Sequence, residues 1–260
     1  MVAGRDSVEP GNLRIGCVKY LNARPLTHGW PGKVVLDHPS ALCARLARGE
    51  FDVALVSSFE FLRNPIYRIV DHAAIASDGA VYSVVVAHRA KIANVKEIEL
   101  DPAAETSGNL LRCLLAGLKL RPSVVARSTS SDSARLLIGD QAIRFRQEHA
   151  SEFQFWDLGE QWKKLTGLPF VYALWLVRPE VVDPGSVAEQ LRALRDQNLA
   201  DLKTIVATQT EFDPAFCDSY YRENLRFSFG EREKQGLRKF SELCQKHELL
   251  PKREIVFGLV

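Results

Sequence analysis

The sequence lacks the features that mark membrane-spanning, secreted and nucleic-acid-binding chains. None of its 260 residues falls in a long uninterrupted apolar run of the kind a membrane span needs. Residues 1–12 hold no apolar stretch suited to a secretory signal, so a chain that starts there naturally is expected in the cytoplasm. Charge of one sign is missing too. Lys and Arg number 34 against 32 Asp and Glu, a formal net charge of +2 with no basic block. Nucleic acid and anionic membrane are therefore not expected partners, although a small positive cleft would vanish in such a sum.

Paired cysteines are also absent. Cys17, Cys43, Cys113, Cys217 and Cys244 are odd in number and widely spaced, with no Cys-x-x-Cys. Neither His-x-x-x-His nor His-Glu-x-x-His occurs, and His28, His38, His72, His88, His149 and His247 are scattered. A disulfide framework or zinc site is not expected, and thiols among apolar neighbours read as buried and inert. No Ser–His–Asp set, Cys–His pair or carboxylate pair stands out. No metal site is expected.

What is present is an alternation of strands and helices. Residues 13–18, 34–36 and 53–56 read as strands. A helix capped by Ser40 runs between the second and third, with Leu42 and Leu46 on its inner face. This βαβαβ order implies a parallel sheet with right-handed crossovers. Residues 57–80 read as turn-rich, with Asn64-Pro65 and Asp78-Gly79 as breakers. A strand over 81–87 and a polar stretch over 88–102 follow. A second unit then repeats the alternation. Leu110, Leu111, Leu114, Leu115 and Leu118 form a helical stripe after Thr106-Ser107-Gly108. Short strands follow at 123–126 and 135–138, a helix through Glu148, a turn at 156–159, a helix over 160–165 and a long strand over 170–177. Beyond Asp183-Pro184-Gly185 the chain reads as helical, with Ser186 as a cap and a last helix from about Glu231. The strands at 81–87 and 170–177 bracket the second unit. The expected division is domain I over 1–87 and 178–260, domain II over 88–177, and a ligand cleft between them.

Several residues are candidates for a site. In open α/β sheets, ligands bind at the carboxyl ends of strands. The first strand therefore delivers Tyr20 and Asn22 to a cleft, although Asn22 also suits a turn or cap. Arg24 reads as solvent-facing. Ser57 and Ser58, ending the third strand, can donate to a carboxylate or cap the next turn. Ser83 lies mid-strand among valines and needs a partner if buried. Thr106 and Ser107 stand where a helix start offers free N–H groups and the positive end of its dipole, or an ordinary cap. Asp140 and Asp157 are acids by position, or caps.

Five segments, in order, resemble the chorismate dehydratase family of the futalosine route to menaquinone. They are Ile15-Gly16-x-Val18-x-Tyr20-Leu21-Asn22-x-x-Pro25-Leu26, Asp52-Val53-Ala54-Leu55-Val56-Ser57-Ser58, Val81-Tyr82-Ser83-Val84, Leu137-Ile138-Gly139-Asp140-x-Ala142, and Asp157-Leu158-Gly159-x-x-Trp162-x-x-x-Thr166-Gly167-Leu168-Pro169-Phe170. The resemblance implies an α/β, bilobed fold like type II periplasmic binding proteins. Two domains, with mixed and mostly parallel sheets, would meet at a two-segment hinge. It implies a cofactor-independent carbon–oxygen lyase that removes water from chorismate to give 3-[(1-carboxyvinyl)oxy]benzoate. Asn22 and Ser83 would be its catalytic residues. Tyr20, Ser57, Ser58, Thr106, Ser107 and Asp140 would bind the dianionic substrate. The chain would be a monomer or homodimer.

Two departures are visible. The family often has proline where Ser57 stands, which makes Ser58 the better equivalent of its binding serine. Gly108-Asn109 replaces a serine- or threonine-rich run. Two alternatives remain: a related enzyme of the same pathway acting on a dehypoxanthine futalosine-like substrate, and a non-catalytic small-anion-binding protein. The first has an opening motif without the Tyr-Leu-Asn-x-x-Pro-Leu pattern. The second predicts an export signal.

Overall fold

The run Ile15-Gly16-Cys17-Val18 is buried at every position. A strand buried on both faces belongs inside an α/β layer. In the computed structural model, which describes residues 13–101, 104–128 and 133–260, this segment is β1 (Ile15–Val18). It lies between β2 (Val34–Asp37) and β3 (Val53–Ser57), parallel to both. The crossover helix α1 (Pro39–Ala47) starts two residues earlier than expected, with His38 rather than Ser40 at its cap. Pro39 explains the shift, because its fixed φ and missing N–H suit the first helical position.

Residues 57–80 are more regular than their breakers suggest. They form α2 (Ser58–Arg63) and the ten-residue β4 (Arg68–Ser77). The apolar pattern of β4 is interrupted by Asp71 and His72, and His72 sits at φ 61°, so the strand is not legible as one run. Next come β5 (Val84–His88) and β6 (Glu97–Glu99), the latter inside the stretch read as merely polar. They are followed by α3 (Glu105–Gly117), β7 (Ser123–Val125), β8 (Ala134–Ile138), α4 (Gly139–Glu148) and β9 (Gln154–Asp157). The expected turn at 156–159 is instead the junction of β9 with α5 (Leu158–Thr166). Asp157 caps α5 by accepting the Glu160 N–H at 3.0 Å. Beyond β10 (Phe170–Val177) lie α6 (Pro184–Ala200), α7 (Leu202–Ala207), α8 (Pro214–Ser219), a π-helical turn at Tyr220–Asn224 and α9 (Glu231–Lys246). Asp183, not Ser186, caps α6, its carboxylate accepting the Ser186 N–H at 3.1 Å.

These strands pair into two sheets of five, ordered β2-β1-β3-β10-β4 and β7-β6-β8-β5-β9. Each is mixed. Three neighbouring strands run parallel, and the antiparallel pairings are all made by β10 in the first sheet and β5 in the second. The chain thus leaves the edge strand β4 to enter the interior of the second sheet, and leaves the edge strand β9, through α5, to enter the interior of the first. Sheet membership departs from the expected division at 87/88 and 177/178: β5 belongs wholly to the second lobe and β10 wholly to the first. A strand that reads as long and apolar does not reveal which sheet it pairs with.

The return crossover is locked by aromatic packing. Trp162 of α5 meets Phe170 of β10 at 5.2 Å between ring centroids, and Phe170 meets Phe240 of α9 at 4.9 Å. All three rings are buried, and burying a side chain of this class contributes about 1.5–3 kcal/mol. The indole N–H of Trp162 donates to the Pro169 carbonyl at 3.0 Å. Gly167 ends α5 in the left-handed region at φ 73°, which glycine adopts without strain. The Gly-Leu-Pro-Phe sequence is therefore a helix stop followed by entry into a strand.

Candidate active site

A cleft open to solvent lies between the lobes. From the first lobe it takes Val18 at the end of β1, Tyr20 and Asn22 beyond it, Ser57 at the end of β3, and Tyr172 of β10. From the second it takes Ser83, Thr106, Ser107 and Gly139. Tyr20, Asn22 and Ser57 thus stand at or just beyond the carboxyl ends of their strands, where ligands bind in open α/β sheets. Tyr172 comes in by a β-bulge: Val171 pairs with Ala76 and Ala173 with Ile75, so Tyr172 is the extra residue. Bulges re-aim side chains in this way.

Asn22 stands in the 3-10 turn Leu21–Leu26, and the residue before it is clamped at both ends. The Leu21 N–H donates to Asp140 Oδ1 at 2.8 Å, and the Leu21 carbonyl accepts the Tyr221 hydroxyl at 3.0 Å. Within this fixed turn Asn22 Oδ1 is buried with no hydrogen-bond partner. A buried acceptor without a partner costs about 1–3 kcal/mol, so its retention here points to a ligand.

Ser83 is fully buried, but it does not lie mid-strand as its sequence suggested. It occupies a bend just before β5, after Tyr82 at φ 65°. Asp157 holds this bend, accepting the Val81 N–H at 3.1 Å and the Tyr82 N–H at 2.8 Å. Ser83 Oγ accepts the Tyr220 hydroxyl at 2.6 Å, and its carbonyl accepts the Gly139 N–H at 2.8 Å.

Ser57 and Thr106 share a hydroxyl–hydroxyl hydrogen bond across the cleft, and Thr106 Oγ1 also accepts the Phe59 N–H at 3.2 Å. Thr106 and Ser107 lie inside the first turn of α3, which begins at Glu105, rather than ahead of it. The N–H groups of such a first turn have no partner within the helix. Two expected binding residues are elsewhere. Ser58 begins α2 and gives its hydroxyl to the Val171 carbonyl at 2.8 Å, away from the cleft, so Ser57 takes the cleft position instead. Asp140 is spent on Leu21 and borders a neighbouring polar groove with Lys19, Arg144 and Glu211. Arg24 is half-buried rather than solvent-facing.

Among the described residues, no lysine or arginine lines the cleft, and Glu105 is the charged residue there. Burial pushes the Glu105 carboxyl up, opposed by the charge of Arg63. Burial likewise pushes the Tyr20 phenol up to about 12, helped by the nearby charges of Asp101 and Asp140. Tyr220 is raised further, also by burial. Both phenols are therefore protonated donors at neutral pH. Among the described residues no three His, Cys, Asp or Glu side chains converge to hold a metal ion, and all five cysteines are buried free thiols. The cleft can hold an anion through hydroxyls and helix N–H groups, and can read a neutral polar group through Asn22 and Ser83.

Sequence reasoning missed Tyr172, Tyr220 and Tyr221. Tyr172 sits in a run that reads as core, and only its bulge exposes it. The adjacent Tyr220-Tyr221 pair was the sole available signal in a stretch without periodicity.

A family model described as menaquinone biosynthesis matches residues 13–246. A chorismate dehydratase of Thermus thermophilus is 28% identical over 256 residues, covering 88% of this chain and 93% of that protein. A chorismate dehydratase of Campylobacter jejuni is 23% identical over 243 residues, covering 87% and 91%. Among solved structures, the alkanesulfonate-binding protein of Xanthomonas axonopodis pv. citri superposes with a TM-score of 0.69 at 17% identity, over 95% of this chain and 97% of that one. The last likeness shows the fold, which is the bilobed one of periplasmic binding proteins.

Proposed function

We propose, from the premise that the chain belongs to the menaquinone biosynthesis family, that it acts as a chorismate dehydratase. The reaction is loss of water from chorismate to give 3-[(1-carboxyvinyl)oxy]benzoate, the futalosine-route step that the sequence resemblance implies. It is a hydro-lyase reaction and needs no cofactor for its electron count. The C3–H bond breaks, its electron pair completes the aromatic ring, the C4–O bond breaks, and the departing hydroxide takes up the released proton to leave as water. Aromatisation supplies much of the driving force, so orientation and fixed donors can carry the catalysis.

The observation that carries this reading is the orphaned Asn22 Oδ1 in a cleft lined by hydroxyls. Chorismate bears two carboxylates and one alcohol. In the proposed pose the carboxylates face Thr106, Ser107, Ser57 and the α3 N–H groups. Ser83 donates to the departing oxygen, Asn22 holds the same group or the enolpyruvyl arm, and the substrate's own carboxylate takes the C3 proton. The proposed site of action is the cytoplasm, where five unpaired thiols suit a reducing medium. No described helix is long and apolar enough to cross a membrane.

The test is incubation with chorismate while following the ultraviolet spectrum. An aromatic chromophore should grow in with turnover. An unchanged spectrum from protein that circular dichroism shows to be folded overturns the reading. Binding heat without turnover would then identify a small-anion-binding protein.

A further inference from the structure

Tyr220 stands behind the site rather than in it. Its side chain is 1% exposed and occupies the π-helical turn after α8, a geometry that recurs at functional sites. A phenol carries one proton, and Tyr220 gives it to Ser83 Oγ at 2.6 Å. Toward any other neighbour the phenol oxygen can only accept. The Asn22 side chain is such a neighbour, and it lowers the tyrosine's pKa against the larger effect of burial, as a donor to that oxygen does. The atom left buried and unpartnered is Oδ1. Ser83 Oγ, having accepted from Tyr220, keeps its own proton to give away.

We propose that Tyr220 is a positioning residue that sets the hydrogen-bond polarity of the cleft, with Ser83 as a donor and Asn22 Oδ1 as an acceptor. This inference rests on the functional reading above, which puts Asn22 and Ser83 against the substrate. A donor beside an acceptor complements an alcohol, which accepts one hydrogen bond and donates one. It does not complement an ammonium, which only donates, or an ether, which only accepts. The site is thereby tuned to a hydroxyl at the position that leaves. Sites that hydrogen-bond a substrate group reject analogues that cannot reciprocate, because buried polar groups are then left unpaired.

The test compares wild type and Tyr220→Phe on two compounds. One is chorismate. The other is aminodeoxychorismate, in which an ammonium replaces the ring hydroxyl. Wild type should bind the ammonium compound at least about 30-fold more weakly than chorismate. In Tyr220→Phe the serine hydroxyl is free to turn, and the discrimination should fall below about fivefold. Turnover of chorismate should drop about 100-fold with KM changed less than about threefold, a split that simple loss of folded protein does not produce. Equal affinities in wild type overturn the inference, and this arm needs no variant to fold. Unchanged kcat together with unchanged discrimination in Tyr220→Phe also overturns it. A wild type that leaves chorismate intact overturns the functional reading alone, and the two dissociation constants then still decide the polarity.

Discussion

The carboxylate of Asp140 accepts the backbone N–H of Leu21 at 2.8 Å, joining α4 of the second lobe to the turn that carries Asn22. A side chain that sequence alone offered as a substrate ligand is thus an inter-lobe latch. Burial is the largest influence on Asp140 and pushes its pKa up from 3.8, while the Leu21 N–H and Arg144 pull it down.

The pH dependence follows from that direction. A carboxyl whose folded pKa exceeds its unfolded value has no effect on stability below both values. It costs stability as pH rises from the unfolded pKa to the folded one, and the cost is constant above. Asp140→Asn keeps an amide oxygen for Leu21 but cannot ionise. The Tm of wild type minus that of Asp140→Asn should therefore decline as pH rises through and above the ordinary carboxylate range, then level off. A difference that grows with pH would contradict the assignment.

Asn22→Ala and Ser83→Ala should each lower kcat by about 10³-fold while KM changes by less than about fivefold. These contacts are proposed to strengthen as the hydroxyl departs, not in the ground state. Steady-state kinetics on chorismate check this, and unchanged kcat in both variants would refute their roles.

Thr106→Val removes one hydroxyl and keeps the side chain's shape. It should raise KM about tenfold and leave kcat within about twofold, because Thr106 is proposed to face a substrate carboxylate rather than the reacting carbon. The variant also strips the Phe59 N–H and the Ser57 hydroxyl of a partner, which should lower stability by about 1–3 kcal/mol. Thr106→Ser should restore both. Equal KM for wild type and Thr106→Val would place the carboxylates elsewhere.

Gly139 lies at φ 59°, and a Cβ there would sit 2.8 Å from the Tyr20 ring. Gly139→Ala should cost about 1–3 kcal/mol in denaturant unfolding and weaken substrate binding by displacing Tyr20. A variant as stable and active as wild type would mean that the ring moves aside freely.

The strand leading to Asn22 was legible because burial on both faces leaves its mark as an unbroken apolar run, and strand ends in such sheets face ligands. The Thr106-Ser107 helix start was legible from the leucine stripe after it. The position of Ser83 was not legible: its valine neighbours suggest a mid-strand residue, whereas Asp157, 74 residues on, bends the chain there. Ser57 and Ser58 could not be told apart, since adjacent residues at a strand–helix junction point in different directions that only the packing of α2 settles.

What the sequence determined by itself was local: which segments alternate, which ends carry hydroxyls and an amide, and the absence of paired cysteines and histidine motifs. What the tertiary structure decided was every partnership across the lobes. Leu21 meets Asp140, Ser57 meets Thr106, and Tyr220 meets Ser83 across 137 residues of sequence. The physical reason is range. Propensity and periodicity act over a few residues, whereas the unpaired acceptor of Asn22 and the direction of the Ser83 hydroxyl are set by groups that the chain brings near only after both crossovers are made.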